Sequence, residues 1–108
     1  MQVKEINFND LRASADKACA LMKVIANSDR LMLLCQMSQQ EMSVGELEAK
    51  LDIRQPTLSQ QLTVLRNAGL VNARREGKNI YYSISSKAAL AVMQVLYQEI
   101  CVNSEHKE

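Results

Sequence analysis

The chain has 108 residues, 47% hydrophobic and 23% charged, enough for one globular domain with a single core and too few for a two-domain enzyme with its site in an interdomain cleft. The longest unbroken apolar run is six residues, 88–93, and the first residues are polar and mixed in charge, so no membrane span or signal peptide is expected and the protein is expected in the cytoplasm. The net charge of +1 hides a segregation: residues 54–87 hold six basic side chains against Glu76 alone, a local +5, while the rest of the chain holds seven basic and eleven acidic ones, −4.

In chain order, Leu11, Ala15, Ala18, Met22 and Ile25 recur at spacings of three and four and predict an amphipathic helix over residues 10–26, capped by Asn9 or Asp10. Asn27, Ser28 and Asp29 interrupt it and can cap the next helix. The next helix, over about 30–38, carries Leu31, Leu33, Leu34, Cys35 and Met37 and is apolar nearly all round, which places it at the centre of the domain. Ser43 and Glu46 have the spacing of a capping box, opening a short helix with Val44, Leu47 and Leu51 inward. A tight connection through Ile53 and Arg54 leads to another helix, over about 55–68. Pro56 is expected in its first turn, Leu58, Leu62 and Leu65 on its buried stripe, and Gly69 just past its end.

After Gly69 the period changes. Residues 70–75 and 79–85 read as short strands, with Ile80, Tyr82 and Ile84 on one face and a turn at Gly77 and Lys78. Ser85 or Ser86 caps a last helix running to about residue 102. One stripe on it is Ala89, Met93, Leu96 and Ile100, a second Leu90, Tyr97 and Cys101. Two stripes on a terminal helix point to packing on its own core and on a second subunit. The fold class is mainly α with a β-hairpin: two short helices joined by a tight turn, then a basic hairpin, which is a winged helix-turn-helix of order ααααββα in a single domain over residues 1–108.

The outer face of the fourth helix carries Gln55, Thr57, Ser59, Gln60 and Thr63. A solvated helix face ordinarily uses Glu and Lys. Uncharged hydrogen-bonding side chains suit base edges instead, Gln pairing with adenine and Ser or Thr with several bases or phosphates. Arg54 and Arg66 flank this face, and Arg74, Arg75 and Lys78 of the hairpin are placed to reach neighbouring phosphates. Polar face, turn and basic wing together point to double-stranded DNA. The rival classes are an enzyme and a helical interaction module. The first lacks a ligand cluster, a Gly-rich loop and a nucleophile–base pair, and the second has no use for a basic wing.

Residues 28–85, and more broadly the whole chain, resemble the ArsR/SmtB family of winged-helix bacterial transcription regulators. The residues that carry the resemblance run from Asn27 to Leu34, include Leu47 and Leu51, continue from Gln55-Pro56-Thr57 with Ser59 to Leu65-Arg66, Ala68-Gly69-Leu70-Val71, and close on Arg75 to Ile84. The resemblance implies a homodimer formed by the first and last helices, bound to a palindromic operator and released by an effector. Two positions depart from the pattern: Gln61, counted among the DNA-facing residues, stands where many relatives have His, and Arg54 where many have a capping Ser.

The resemblance also frames the effector. Many relatives bind metal through Cys-Val-Cys, where this chain has Ser43, Val44 and Gly45; others use acids and His on the last helix, where it has Lys87, Gln94, Gln98 and Glu99. Its one His, His106, lies in the tail. No metal site and no cofactor is therefore expected. Each of Cys19, Cys35 and Cys101 alone reads as a small packing residue. Cys35 and Cys101, however, match the two thiols of the BigR/HlyU/SqrR subgroup, whose members sense reactive sulfur species or oxidants through a disulfide or polysulfide link. That match implies a redox-switched regulator with a persulfide or oxidant as effector, and a repressor, as most relatives are. A metal-responsive repressor, and an activator that displaces a silencing protein, stand as the alternatives. Cys19 falls outside the pair and is read as packing.

Overall fold

The computed structural model describes residues 7–102. Helices α1 (Phe8–Ile25), α2 (Ser28–Met37), α3 (Val44–Leu51), α4 (Thr57–Asn67) and α5 (Lys87–Leu96) are joined by strands β1 (Met42–Ser43), β2 (Val71–Glu76) and β3 (Asn79–Ile84), and a π-helical stretch, Tyr97–Val102, follows α5. The sheet is antiparallel in the order β1-β3-β2. The result is the winged helix-turn-helix that the pattern predicts. No described helix is long and apolar enough to cross a membrane.

Local chemistry sets most boundaries. Ser43 Oγ accepts from the Glu46 amide at 3.2 Å while Glu46 Oε1 accepts from the Ser43 amide at 2.8 Å, completing the expected capping box. At the end of α4 the Leu70 amide donates to the Leu65 carbonyl and the Gly69 amide to the Arg66 carbonyl, both at 3.0 Å, with Gly69 at φ +78°. This is the paired closure that a left-handed glycine permits. Ser86, rather than Ser85, caps α5 by accepting from the Ala89 amide at 3.1 Å.

Several expectations need correction. α1 starts earlier than expected because Asn7, not Asn9 or Asp10, offers its oxygen to the Asp10 amide at 2.8 Å. α2 likewise starts at Ser28, since Asn27 caps it through the Arg30 amide. Pro56 stands just before α4 and not inside its first turn. β1 is a third strand that the sequence did not announce: two residues are too few to show an alternation, and only pairing of Met42 with Tyr82 and Ser43 with Tyr81 makes them a strand. The last helix leaves the α register at Tyr97.

α2 is the hub, in contact with α1, α3, α4, α5 and β3. The core is aliphatic: Leu33, Leu34, Met42, Leu47, Leu58, Leu62, Leu65, Val71 and Met93 are each at most 2% exposed. The whole inward stripe of α4 is therefore anchored. Leu62→Ala is expected to cost about 2–5 kcal/mol in urea unfolding; a loss below about 1 kcal/mol would show that this stripe does not hold the helix in place. α1 is different. Of its predicted stripe only Ile25 joins the core; Leu11, Ala15, Ala18 and Met22 stay exposed, as does Phe8. Leu21 and Val24 pack against the core beside Ile25, whereas Phe8, Leu11 and Met22 are left uncovered among the described residues.

Candidate nucleic-acid interface and thiol pair

α4 presents its polar side away from the leucine stripe. Nothing on Pro56 caps this helix, and Gln55 caps it instead. Its Oε1 accepts from the Ser59 amide at 3.2 Å and from the Ser59 hydroxyl. The carbonyl of Ser59 accepts in turn from the Thr63 hydroxyl at 2.8 Å. Gln55, Ser59 and Thr63 thus form an exposed ladder along the helix. Thr57, Gln60 and Arg66 are exposed, and their side chains make no hydrogen bond or ion pair among the described residues. Arg54 is open at the entrance, 82% exposed and only loosely paired with Asp52 at 3.8 Å.

Gln61 departs from its expected place on the DNA-facing side. It is half-buried, and its Oε1 accepts from Arg30 Nη1 at 2.9 Å. One residue on from Gln60 is about a quarter turn of helix, which carries the side chain toward the body of the domain. Arg30 also donates from Nε to the Val24 carbonyl at 2.6 Å, satisfying a last-turn oxygen of α1. This arginine, which joins α1, α2 and α4, was missed by sequence reasoning. Its signal is a lone basic residue at the head of an otherwise apolar helix.

In the wing, Gly77 takes φ +63° and Glu76 pairs with Asn79, giving the two-residue turn expected at Gly77 and Lys78. Arg75 and Lys78 are exposed and make no ion pair among the described residues. Arg74 is not open in this way: Glu41 and Glu76 both bond to it. Those hydrogen bonds push its guanidinium pKa further up, and the Arg74 hydrogen bond holds the Glu41 carboxyl below its usual range.

The cysteines separate as well. Cys35 of α2 is half-buried, and Cys101 of the π-helical stretch is exposed. Burial pushes the Cys35 thiol up, and the adjacent Cys101 sulfur adds to the shift by charge and by a thiol hydrogen bond. Both thiols are free. Cys19, expected to be a packing residue, is exposed on α1. Among the described residues no three His, Cys, Asp or Glu side chains gather as a metal site would require; His106 lies outside the described residues.

Residues 27–73 match the family described as bacterial regulatory protein, arsR family. A biofilm growth-associated repressor of Agrobacterium fabrum is 47% identical over 106 residues, covering 98% of this chain and 91% of its own. The transcriptional activator HlyU of Vibrio cholerae is 38% identical over 89% of each chain, and its reduced structure superposes with a TM-score of 0.84 over 87% of this chain and 99% of that one. The homodimeric winged helix-turn-helix DNA-binding domain Mb0332 of Mycobacterium bovis is 26% identical, with a TM-score of 0.72 over 99% of this chain and 97% of its own. The match covers the turn, α4 and the first residues of the wing, and the likeness to relatives runs nearly end to end: the chain belongs to the arsR family of bacterial regulatory proteins, as a DNA-binding transcription regulator and not an enzyme.

Proposed function

We propose that the chain acts as a homodimer on a palindromic operator, as a repressor, and that a covalent link between Cys35 and Cys101 releases it in response to reactive sulfur species or oxidants. The observation that carries this reading is the adjacency of the two thiols, one on the central helix and one at the far end of the chain's last helix. With a small persulfide the chemistry balances. The Cys101 thiolate attacks the terminal sulfur and takes it, and the small thiol leaves. The Cys35 thiolate then attacks the Cys101 sulfur and hydrogen sulfide leaves. Two protein thiols are oxidised to a disulfide, and the persulfide is reduced to a thiol and hydrogen sulfide. Each further persulfide inserts one sulfur and releases one thiol. Relatives described as a repressor and as an activator both exist; repression is preferred because the Agrobacterium fabrum repressor matches this chain at 47% identity over 98% of its length, against 38% over 89% for the activator HlyU.

The dimer reading is supported by the open apolar residues of α1 and by an adjoining apolar groove of about 560 Å³ lined by Met22, Ile25, Leu31, Val92 and Leu96. A second copy crossing there with α1 and α5 would cover both, and the relative Mb0332 is homodimeric. On DNA, Thr57 and Gln60 read base edges while Arg54, Arg66, Arg75 and Lys78 hold phosphates. Gln55, Ser59 and Thr63 line the same face. Gln60→Ala should cost about 1–3 kcal/mol on the operator and relax preference at one base pair, whereas Lys78→Ala should weaken all sequences alike. Titrating operator and random duplexes with both variants checks this; equal losses on both duplexes for Gln60→Ala would refute the assignment. The switch itself is tested by adding a persulfide to the reduced protein–operator complex. Release supports the reading, and unchanged binding refutes it.

A further inference from the structure

On the outer face of the sheet Arg74 of β2 lies over Tyr81 of β3, its register partner, with the guanidinium carbon 4.9 Å from the ring centroid. Past the ring it reaches Glu41, the residue before β1, in a fork-on-fork pair: Nε to Oε2 at 3.0 Å and Nη2 to Oε1 at 2.7 Å. The remaining nitrogen, Nη1, donates to Glu76 Oε2 at 2.6 Å. All three guanidinium nitrogens are therefore held by carboxylates. One side chain laces together β2, β3 and the chain entering β1, and a bidentate arginine is the group suited to this because its fork is rigid and planar. The locus carries two negative charges against one positive, in the middle of an otherwise basic segment. Arg75, on the opposite face of the same strand, makes no ion pair among the described residues.

We propose that Glu41, Arg74 and Glu76 form a wing-positioning clamp, which withholds Arg74 from the DNA phosphates and leaves phosphate contact at the wing to Arg75 and Lys78. Arg74 is thus a positioning residue and not a contact. A phosphate could recruit it only by displacing a bidentate carboxylate, and the two freed acids would then face the polyanion unpaired. The clamp also sets how much of the wing's positive charge is available, so that neutralising its acids exposes a further cation to DNA. The inference rests on the reading of the basic face as the DNA interface.

The test is the slope of log affinity against log salt for full-length reduced protein on one operator duplex. Each phosphate contact contributes a slope of about −0.9, so losing one per protomer from a dimer flattens the line by roughly 1.8. Arg75→Ala is expected to flatten it in that way. Arg74→Ala should lower affinity with the slope unchanged, because the wing loses its brace and no phosphate contact. The double variant Glu41→Gln, Glu76→Gln should steepen the slope, because Arg74 is set free. An Arg74→Ala line as flat as that of Arg75→Ala, or a double variant no steeper than the unaltered protein, overturns the clamp. Failure of the underlying interface reading shows on another arm: the unaltered protein would then bind DNA with little dependence on salt.

Discussion

Operator affinity is expected to fall by roughly 10³–10⁵ between 50 and 200 mM salt. Four cations per protomer, Arg54, Arg66, Arg75 and Lys78, are exposed on the face formed by α4 and the wing tip, and the only acid paired with any of them among the described residues is Asp52, at 3.8 Å from Arg54. A dimer doubles them to about eight, within the range of phosphate contacts that produces such a loss through counterion release. The net charge of +1 would suggest a far weaker dependence, because it averages this face with an acidic remainder. What decides the outcome is the charge at the contact, since charges beyond about a Debye length are screened. Fluorescence anisotropy at several salt concentrations measures it. A near-flat response would mean that these side chains do not meet phosphates.

Cys35→Ser and Cys101→Ser are each expected to bind the operator like the unaltered protein when reduced and to stay bound after persulfide treatment, whereas Cys19→Ser should release DNA as the unaltered protein does. The physical reason is geometric. α2 packs at the centre of the protomer and Cys101 sits beyond α5, on the side proposed to meet the partner. A bond between them pulls one against the other and alters the spacing of the two α4 helices. Half-sites about 34–36 Å apart leave little tolerance for that. A tenfold loss of affinity needs only about 1.4 kcal/mol of mismatch. The rate should respond to pH in a definite direction. Burial, together with Cys101, holds the Cys35 thiol above its ordinary range, and only the thiolate attacks, so closure of the link should speed up as pH rises from neutrality. Release by both single mutants would remove the thiol pair from the mechanism.

What could be read from the sequence was mostly local. Ser43 with Glu46, Gly69 at positive φ, and the Leu58, Leu62, Leu65 stripe are set by interactions within a few residues, and each stands where the pattern placed it. The start of α1 was less legible because Asn7, Asn9 and Asp10 can all cap, and the choice depends on which oxygen meets a free amide. β1 and the pairing of Arg74 with Glu41 depend on contacts across long stretches of chain, which no window of sequence contains. The same is true of Gln61, whose place on the helix was readable to within a residue but whose bond to Arg30 was not. The Cys35–Cys101 neighbourhood was legible only through the family resemblance; periodicity placed both on helices and could not bring them together.

The most direct test of the thiol switch is the operator affinity of the linked species itself. Protein treated with persulfide is separated from unreacted protein, its mass is checked for Cys35 and Cys101 joined with zero or more added sulfur atoms, and its binding is measured before and after reduction with a dithiol. Binding at least about tenfold weaker is predicted for the linked form, equivalent to 1.4 kcal/mol or more, with full recovery on reduction. A linked protein that binds the operator as tightly as the reduced one would contradict the switch.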